Sequence, residues 1–113
     1  MSIKKVIIFG TGQIAEEISN YFKNDSDHKV EGFTIDDKFY KKNNFMNKPV
    51  VPFSKIKSKF SPRFFKVFVA IGYTNLNQLR YKKYQEAKRK GYQLASYVSS
   101  KASLFGKQKI KEN

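Results

Sequence analysis

Near its start the chain reads Val6-Ile7-Ile8-Phe9-Gly10-Thr11-Gly12-Gln13-Ile14-Ala15. The run before the first glycine is apolar without interruption, which is typical of a strand that is covered on both faces of a parallel sheet. The glycines predict a tight turn directly after that strand. From Gln13 onward the apolar side chains recur at helical spacing, so the stretch predicts a strand, a glycine turn and a helix in direct succession.

The rest of the chain repeats this alternation of strands and helices. We predict further strands at 30–35, 64–71 and 92–98, and a short extended segment at 49–52. We also predict a polar loop at 38–48, a short helix at 55–60 capped by Ser54, and a helix at 76–90 that ends at Gly91. Such alternation implies right-handed crossovers and a parallel sheet. The expected fold class is α/β: a small doubly wound parallel sheet of about five strands, with helices on both faces.

Length and composition limit the kind of protein. The chain has 113 residues, enough for one domain, and becomes polar and lysine-rich after residue 98. It has no cysteine and a single histidine, His28, which excludes disulfides, a cysteine nucleophile and thiolate or His-pair metal sites. The sequence contains no signal peptide and no apolar run of transmembrane length. We therefore expect a cytoplasmic protein without membrane insertion and without a metal.

The net charge of +14 is the most unusual bulk property of the sequence. Such an excess favours an anionic partner, whether a nucleic acid, a membrane surface or a phosphorylated small molecule. Only three of the basic residues are arginine, and the lysines are spread along the whole chain, which is typical of a compositional bias. Tyr81, Tyr84 and Tyr92 alternate with lysines in a way that would suit single strands of nucleic acid. They lie where a helix must cover the sheet, so we interpret them as packing residues and expect no nucleic-acid partner.

The first candidate site is the turn Gly10-Thr11-Gly12 with Gln13 at the start of the helix. A Gly-x-Gly-x-x-Ala pattern between a strand and a helix is typical of nucleotide-binding turns. The first glycine permits the sharp turn, the second lets a phosphate approach the backbone, and Ala15 lets the helix lie close to the sheet. Free N–H groups at the start of the helix then face an anion. The alternative is a tight turn without a ligand.

The second candidate is the pair Asp36-Asp37, which directly follows the predicted strand at 30–35. In dinucleotide sites an acid at this place accepts hydrogen bonds from the ribose hydroxyls. The alternative is a strand-end turn that aspartate stabilises whether or not a ligand is present.

The third candidate follows the predicted strand at 64–71 and comprises Gly72, Tyr73, Asn75 and, one turn into the next helix, Arg80. In doubly wound folds ligands lie at the carboxyl edge of the sheet, where the strand order reverses. Gly72 would allow close approach of a ligand, and Arg80 could reach a phosphate. The alternatives are a helix cap for Asn75 and an ordinary surface charge for Arg80.

These segments carry a family resemblance when they are taken in order. The sequence reads Lys5-Val-Ile-Ile-Phe-Gly-Thr-Gly-Gln-Ile-Ala15, then Gly32-Phe-Thr-Ile-Asp-Asp37, then Val67-Phe-Val-Ala-Ile-Gly72, with Arg80 eight residues on and Tyr97-Val-Ser-Ser-Lys-Ala-Ser103 near the end. Together they resemble the N-terminal domain of the sugar O-/N-acyltransferase family. This family includes sialic acid O-acetyltransferases and bacterial enzymes that N-acetylate UDP-linked 4-amino sugars. The likeness spans nearly the whole chain.

The resemblance implies a Rossmann-like domain over residues 1–98 that binds a nucleotide-sugar. It places the substrate at Gly10, Thr11, Gly12 and Gln13, at Asp36 and Asp37, and at Gly72, Tyr73, Asn75 and Arg80. It identifies residues 99–113 as a tail that starts a missing left-handed β-helix domain. In the family that second domain forms the trimer, binds acetyl-CoA and supplies the catalytic histidine. Many members carry Gly-His where this chain has Gln13-Ile14, which leaves the identity of the sugar open.

The leading hypothesis is therefore a UDP-sugar-binding domain of a bacterial sugar acetyltransferase, of the kind used in polysaccharide biosynthesis. On this reading the chain alone binds without catalysing, needs no cofactor of its own and forms a trimer only with the β-helix half. Two alternatives remain: a small NAD-binding module, which the glycine turn and the acids allow, and a polyanion binder driven by the lysine excess.

Overall fold

The computed structural model describes residues 4–25, 28–70 and 77–95. Helices and strands follow one another as β1 Lys5–Phe9, α1 Gln13–Asp25, β2 Lys29–Ile35, β3 Asn44–Phe45, β4 Lys48–Pro52, α2 Ile56–Lys59, β5 Phe65–Val69, α3 Asn77–Arg89 and β6 Gln93–Leu94. Two short 3₁₀ turns, Asp37–Phe39 and Phe53–Lys55, follow the ends of β2 and β4.

Within the described residues the strands form one six-stranded sheet in the order β3-β4-β2-β1-β5-β6. All the pairings are parallel except that of β3, which runs antiparallel along the edge of β4. Without β3 the spatial order is third, second, first, fourth, fifth, the order of doubly wound nucleotide-binding sheets. This confirms the predicted α/β fold, with one short edge strand more than the expected number. The strand order reverses between β1 and β5.

The two faces of the sheet bury separate clusters of side chains. Alternate residues of β1 divide between them: Val6 and Ile8 pack towards α1, whereas Ile7 and Phe9 pack towards α2 and α3. Each of these residues is at most 5% exposed, and complete burial of such a side chain contributes about 1.5–3 kcal/mol. The uninterrupted apolar run at the start of the chain is thus explained by helices on both faces.

One predicted loop contains regular structure. Residues 38–48 include a 3₁₀ turn and the hairpin of β3 and β4, which turns at Met46 and Asn47. Both turn residues have positive φ, 54° and 63°, as the tight hairpin turns that match strand twist require. Glycine or asparagine usually marks such turns, so methionine at the first position gave no signal. Met46 instead packs its side chain against the buried cluster on the α1 face.

A short helix lies within the range predicted at 55–60, but the prediction that Ser54 caps it is wrong. A 3₁₀ turn occupies Phe53–Lys55, and α2 covers only Ile56–Lys59. Phe53 is buried in the cluster on the α3 face, and this contact holds the chain in the tighter turn. The Ser54 hydroxyl donates its hydrogen bond to Asp37 and not to the helix.

The remaining differences between prediction and structure concern the ends of strands and the exposure of tyrosine side chains. The strand predicted at 64–71 begins at Phe65, since Phe64 is exposed, and the strand predicted at 92–98 is seen as Gln93–Leu94. Tyr92 is buried as predicted, and burial raises its pKa to about 12. Its hydroxyl donates to the carbonyl of Phe60. Tyr81 is exposed, so its assignment to packing is wrong. The boundary at residue 98 and the tail lie outside the described residues.

Candidate functional site

The glycine turn lies at the carboxyl edge of the sheet, between the ends of β2 and β5. The Gly10 N–H donates to the carbonyl of Thr34 in β2 at 2.8 Å. The N–H of Ala70, which follows β5, donates to the carbonyl of Phe9 at 2.9 Å. The turn therefore begins where the strand order reverses, which is the place where doubly wound folds bind their ligands.

Gly10 has a structural reason to be glycine. Its φ of +127° is a conformation that residues with a side chain rarely adopt. A Cβ atom at this position would lie 2.8 Å from the carbonyl oxygen of Ala70, which is backbone and cannot turn away. Gly10 thus makes the turn possible, and its role does not depend on a ligand.

The surroundings of Gly12 are open, whereas those of Gly10 are crowded. Apart from Gly12 itself and its neighbours in the chain, no described atom lies within 4 Å of the position of a Cβ atom on Gly12, and the residue is exposed. Its carbonyl accepts the N–H of Glu16 at 3.0 Å, the first hydrogen bond of α1. The N–H groups of residues 13–15 precede that bond and point out of the start of the helix. Open space at Gly12 therefore leads to free donors at the positive end of the helix dipole.

Thr11 borders a cavity of about 350 Å³, here called the Thr11 cavity. Two features of its lining suit a nucleotide: the aromatic rings of Phe39 and Phe45, and the ammonium groups of Lys41 and Lys42. The other lining residues are Ile35, Asn44 and Val50. Sequence reasoning missed this cavity because residues 38–48 were interpreted as a loop. The interleaved aromatic and lysine residues of that segment were the available signal.

Asp36, the first predicted acid, is held by a partly buried ion pair. Its Oδ1 accepts a hydrogen bond from the Nζ of Lys83 at 2.6 Å, and the same ammonium lies 3.1 Å from Oε1 of Glu86. Burial alone would lower the pKa of Lys83. The hydrogen bonds to these carboxylates and their negative charges outweigh burial, and the pKa lies above its usual value of 10.5. The lysine is therefore fully charged at neutral pH.

Asp37, the second predicted acid, is engaged with Ser54. The Ser54 hydroxyl donates to Oδ2 of Asp37 at 2.5 Å and the Ser54 N–H donates to Oδ1 at 3.1 Å. These hydrogen bonds lower the pKa of Asp37, although its side chain is exposed. The contact connects the ends of β2 and β4, which are neighbours in the sheet.

Both acids border a second cavity, of about 570 Å³, here called the Asp36 cavity. Its lining combines carboxylates with cations and one aromatic ring: Asp36, Asp37, Lys38, Phe53, Ser54, Glu86, Arg89 and Lys90. The glycine turn and the acids thus meet at the same edge of the sheet but open into different cavities. The edge offers donors for an anion at the turn and acceptors for hydroxyl groups at the acids.

The third predicted segment is not described in the same detail. Gly72, Tyr73 and Asn75 lie outside the described residues. Arg80 belongs to α3, but its side chain lies outside the described part of the structure. Lys83, on the same helix, pairs with the predicted site residue Asp36, and sequence reasoning assigned it no role. In the parts of the chain that the structure describes, no helix is both long and apolar enough to cross a membrane.

Comparison with known proteins agrees with this fold. Residues 5–87 match the family model described as the PglD N-terminal domain. No curated protein sequence is significantly similar to the chain. Among solved structures, the acetyltransferase domain of PglB from Neisseria gonorrhoeae, in complex with acetyl coenzyme A, aligns with a TM-score of 0.67 and 18% identity over 88% of this chain. A second structure of the same domain aligns with a TM-score of 0.66 and 18% identity over 86% of this chain.

A third similar structure is UDP-D-quinovosamine 4-dehydrogenase from Vibrio fischeri. It aligns with a TM-score of 0.68 and 13% identity over 98% of this chain and 89% of its own length. At these identities the structural likenesses establish the fold alone. The chain spans 45% of the length of the gonococcal acetyltransferase domain.

Proposed function

Because the chain belongs to the PglD N-terminal domain family, we propose that it is the nucleotide-sugar-binding part of a bacterial sugar O- or N-acetyltransferase and that its ligand is a UDP-sugar. The observation that carries the proposal is the open approach to Gly12 at the point where the strand order reverses. There the unpaired N–H groups at the start of α1 are accessible to a diphosphate. On this proposal the start of α1, more than the lysine-rich surface, defines the anion site.

The surrounding residues complement the rest of such a ligand. Lys41 and Lys42, on the Thr11 cavity, attract the negative charge of the diphosphate. Asp36, at the end of the neighbouring strand, accepts hydrogen bonds from ribose or sugar hydroxyls. This division places the phosphates on the α1 side and the hydroxyl groups nearer α3.

Acetyl transfer is not assigned to these residues. A general base must lie within hydrogen-bond reach of the group that it deprotonates. The single histidine, His28, directly precedes β2 and so lies at the amino edge of the sheet, opposite the glycine turn. In the family that the sequence resembles, acetyl-CoA and the catalytic histidine belong to a β-helix domain. We therefore propose that this chain binds the acceptor substrate and that the trimer and the chemistry belong to that domain.

Calorimetric titration of the purified chain tests the proposal. A UDP-4-amino sugar is expected to bind saturably at one site, and UDP is expected to compete with it. Since about two phosphates are engaged, affinity should depend only weakly on salt. Absence of heat at millimolar ligand would contradict the proposal.

Two matched titrations separate the alternatives. Saturable fluorescence enhancement of NADH that UDP does not reverse would favour the NAD-binding module. Binding of oligonucleotides irrespective of sequence, with affinity that falls steeply as salt rises, would favour the polyanion binder.

A further inference from the structure

We infer that Lys83 is a positioning residue of the nucleotide-sugar site: its ammonium orients the Asp36 carboxylate and offsets that carboxylate's charge towards an anionic ligand. The inference rests on the proposed function, and it adds to it a residue that determines how tightly a charged ligand binds. Its described ion pairs are with Asp36 and Glu86, so we argue that it acts on the ligand through Asp36.

Lys83 differs from the other lysines that the structure describes. It is 8% exposed, whereas they are exposed or half-buried. Its position on α3 places it one helical turn before Ala87, on the face that packs against the sheet. Because burial of an unpaired ammonium is costly, a lysine at this position requires partners, and a surface coat of lysines does not account for it.

The partners fix the ammonium from several sides. Besides its contacts with Asp36 and Glu86, Nζ lies 5.5 Å from the centre of the Phe9 ring and 5.6 Å from that of Phe53. These rings meet edge to face with their centres 5.1 Å apart. Phe9 is the last residue of β1, Asp36 directly follows β2, and Phe53 directly follows β4. Lys83 is therefore held between the carboxyl ends of three strands. An ammonium with ionic and aromatic neighbours on a buried helix face has little freedom to move.

The pairing has a geometric consequence for Asp36. Among the described contacts, Lys83 engages Oδ1, and the carboxylate is 27% exposed. The carboxylate plane is thereby held, and Oδ2 is left to accept a hydrogen bond from a ligand hydroxyl. A freely rotating aspartate would lose side-chain entropy when it bound the same hydroxyl.

The pairing also has an electrostatic consequence. Asp36, Asp37 and Glu86 bring three carboxylates to the Asp36 cavity. Lys38, Arg89 and Lys90 line the same cavity, but Lys83 pairs directly with Asp36 and Glu86. Without Lys83 these two carboxylates would repel a diphosphate at the neighbouring glycine turn more strongly. With Lys83 in place, the edge presents hydrogen-bond acceptors at a much smaller cost in repulsion. Because the pKa of Lys83 is raised, the ammonium is charged at neutral pH, and this compensation is lost only as the pH rises through the raised pKa.

The test compares the Lys83→Met variant with Lys82→Met, which removes the same charge from an exposed neighbouring position. We expect Lys83→Met to weaken binding of a UDP-sugar about tenfold or more and binding of neutral uridine about threefold or less, as measured by calorimetry. Lys82→Met is expected to change either affinity less than about twofold. Lys83→Arg, which keeps the charge, is expected to restore part of the loss.

If Lys83→Met folds poorly, Lys83→Gln, which removes the charge but keeps a polar side chain beside Asp36, replaces it in the comparison and in a double-mutant cycle. In an Asp36→Asn background, which has no carboxylate at that position to hold, the lysine substitution should weaken binding less than it does in the wild-type chain. Equal losses for uridine and the UDP-sugar, or losses that simply add in the double variant, would overturn the inference. A wild-type chain that binds no UDP-sugar would instead contradict the proposed function, so the two failures are distinguishable.

Discussion

The Gly10→Ala variant is expected to lose about 3–5 kcal/mol of the free energy of unfolding, a large part of the 5–15 kcal/mol typical of a small domain. At φ +127° an alanine is strained, and its Cβ would lie 2.8 Å from the carbonyl oxygen of Ala70. Relief of that contact must separate the ends of β1 and β5, which pair in the centre of the sheet. Urea denaturation followed by circular dichroism measures the change.

Two other glycines provide graded controls for this stability effect. Gly12→Ala, at a position with open space around it, should change the free energy of unfolding by less than about 1 kcal/mol. Gly91 has a φ of +98°, but among the described residues a Cβ atom there would contact only Pro62, at 3.6 Å. Gly91→Ala should therefore have an intermediate effect. A Gly10→Ala variant as stable as Gly12→Ala would contradict the described turn.

The Gly12→Val variant, in contrast to Gly10→Ala, is expected to keep its fold and to lose ligand binding. The new side chain would occupy the space through which a phosphate reaches the N–H groups of α1. Loss of about two charge-assisted hydrogen bonds, each contributing about 1.5–3 kcal/mol, corresponds to a loss of affinity of about a hundredfold or more. Valine is also a poorer residue than glycine at the start of a helix, which costs about 1 kcal/mol of stability. Calorimetry with a UDP-sugar measures the affinity.

Asn20→Val, at an exposed position farther along α1, is the matched control for that experiment. It places valine on the same helix, away from the glycine turn, and should bind the UDP-sugar with wild-type affinity. Unchanged affinity in Gly12→Val, with a wild-type circular dichroism spectrum, would mean that the ligand does not approach the turn.

The stretch from Val6 to Ala15 was sufficient to predict the centre of the fold. An uninterrupted apolar run followed by two glycines allows few structures, because the run must be covered on both faces and the glycines must turn the chain at once. The order of the sheet then follows from right-handed crossovers. The hairpin at Met46 could not be predicted, since a methionine with positive φ is stabilised by its tertiary packing and not by its own conformational preference.

The candidate site was predictable only where it depends on local sequence. The glycine turn is local, and the structure shows the open approach at Gly12 that its sequence predicted. The ion pairing of Asp36 does not depend on local sequence, because its partner Lys83 is 47 residues away along the chain. Helical spacing places Lys83 on the same face as Ala87, but nothing in a sequence with 23 basic residues indicates that Asp36 is its partner.

The net charge of +14 can now be divided into two parts. Most of the described lysines are exposed and form a solvated surface with weak attraction for any anion. Lys83 belongs to the interior, where it balances the carboxylates at the carboxyl edge. On this account the recognition of a ligand depends on the glycine turn, Asp36 and Lys83 more than on the surface charge.

An NMR titration of the isotope-labelled chain with a UDP-4-amino sugar tests the central claim most directly. The account predicts that saturable chemical-shift changes concentrate on the backbone N–H groups of residues 10–15 and of Asp36, at the carboxyl edge of the sheet. The N–H groups of Lys29 and Lys48, where β2 and β4 begin at the amino edge, should not shift. Shifts spread over exposed lysines throughout the chain, or the absence of any change at the glycine turn, would contradict it.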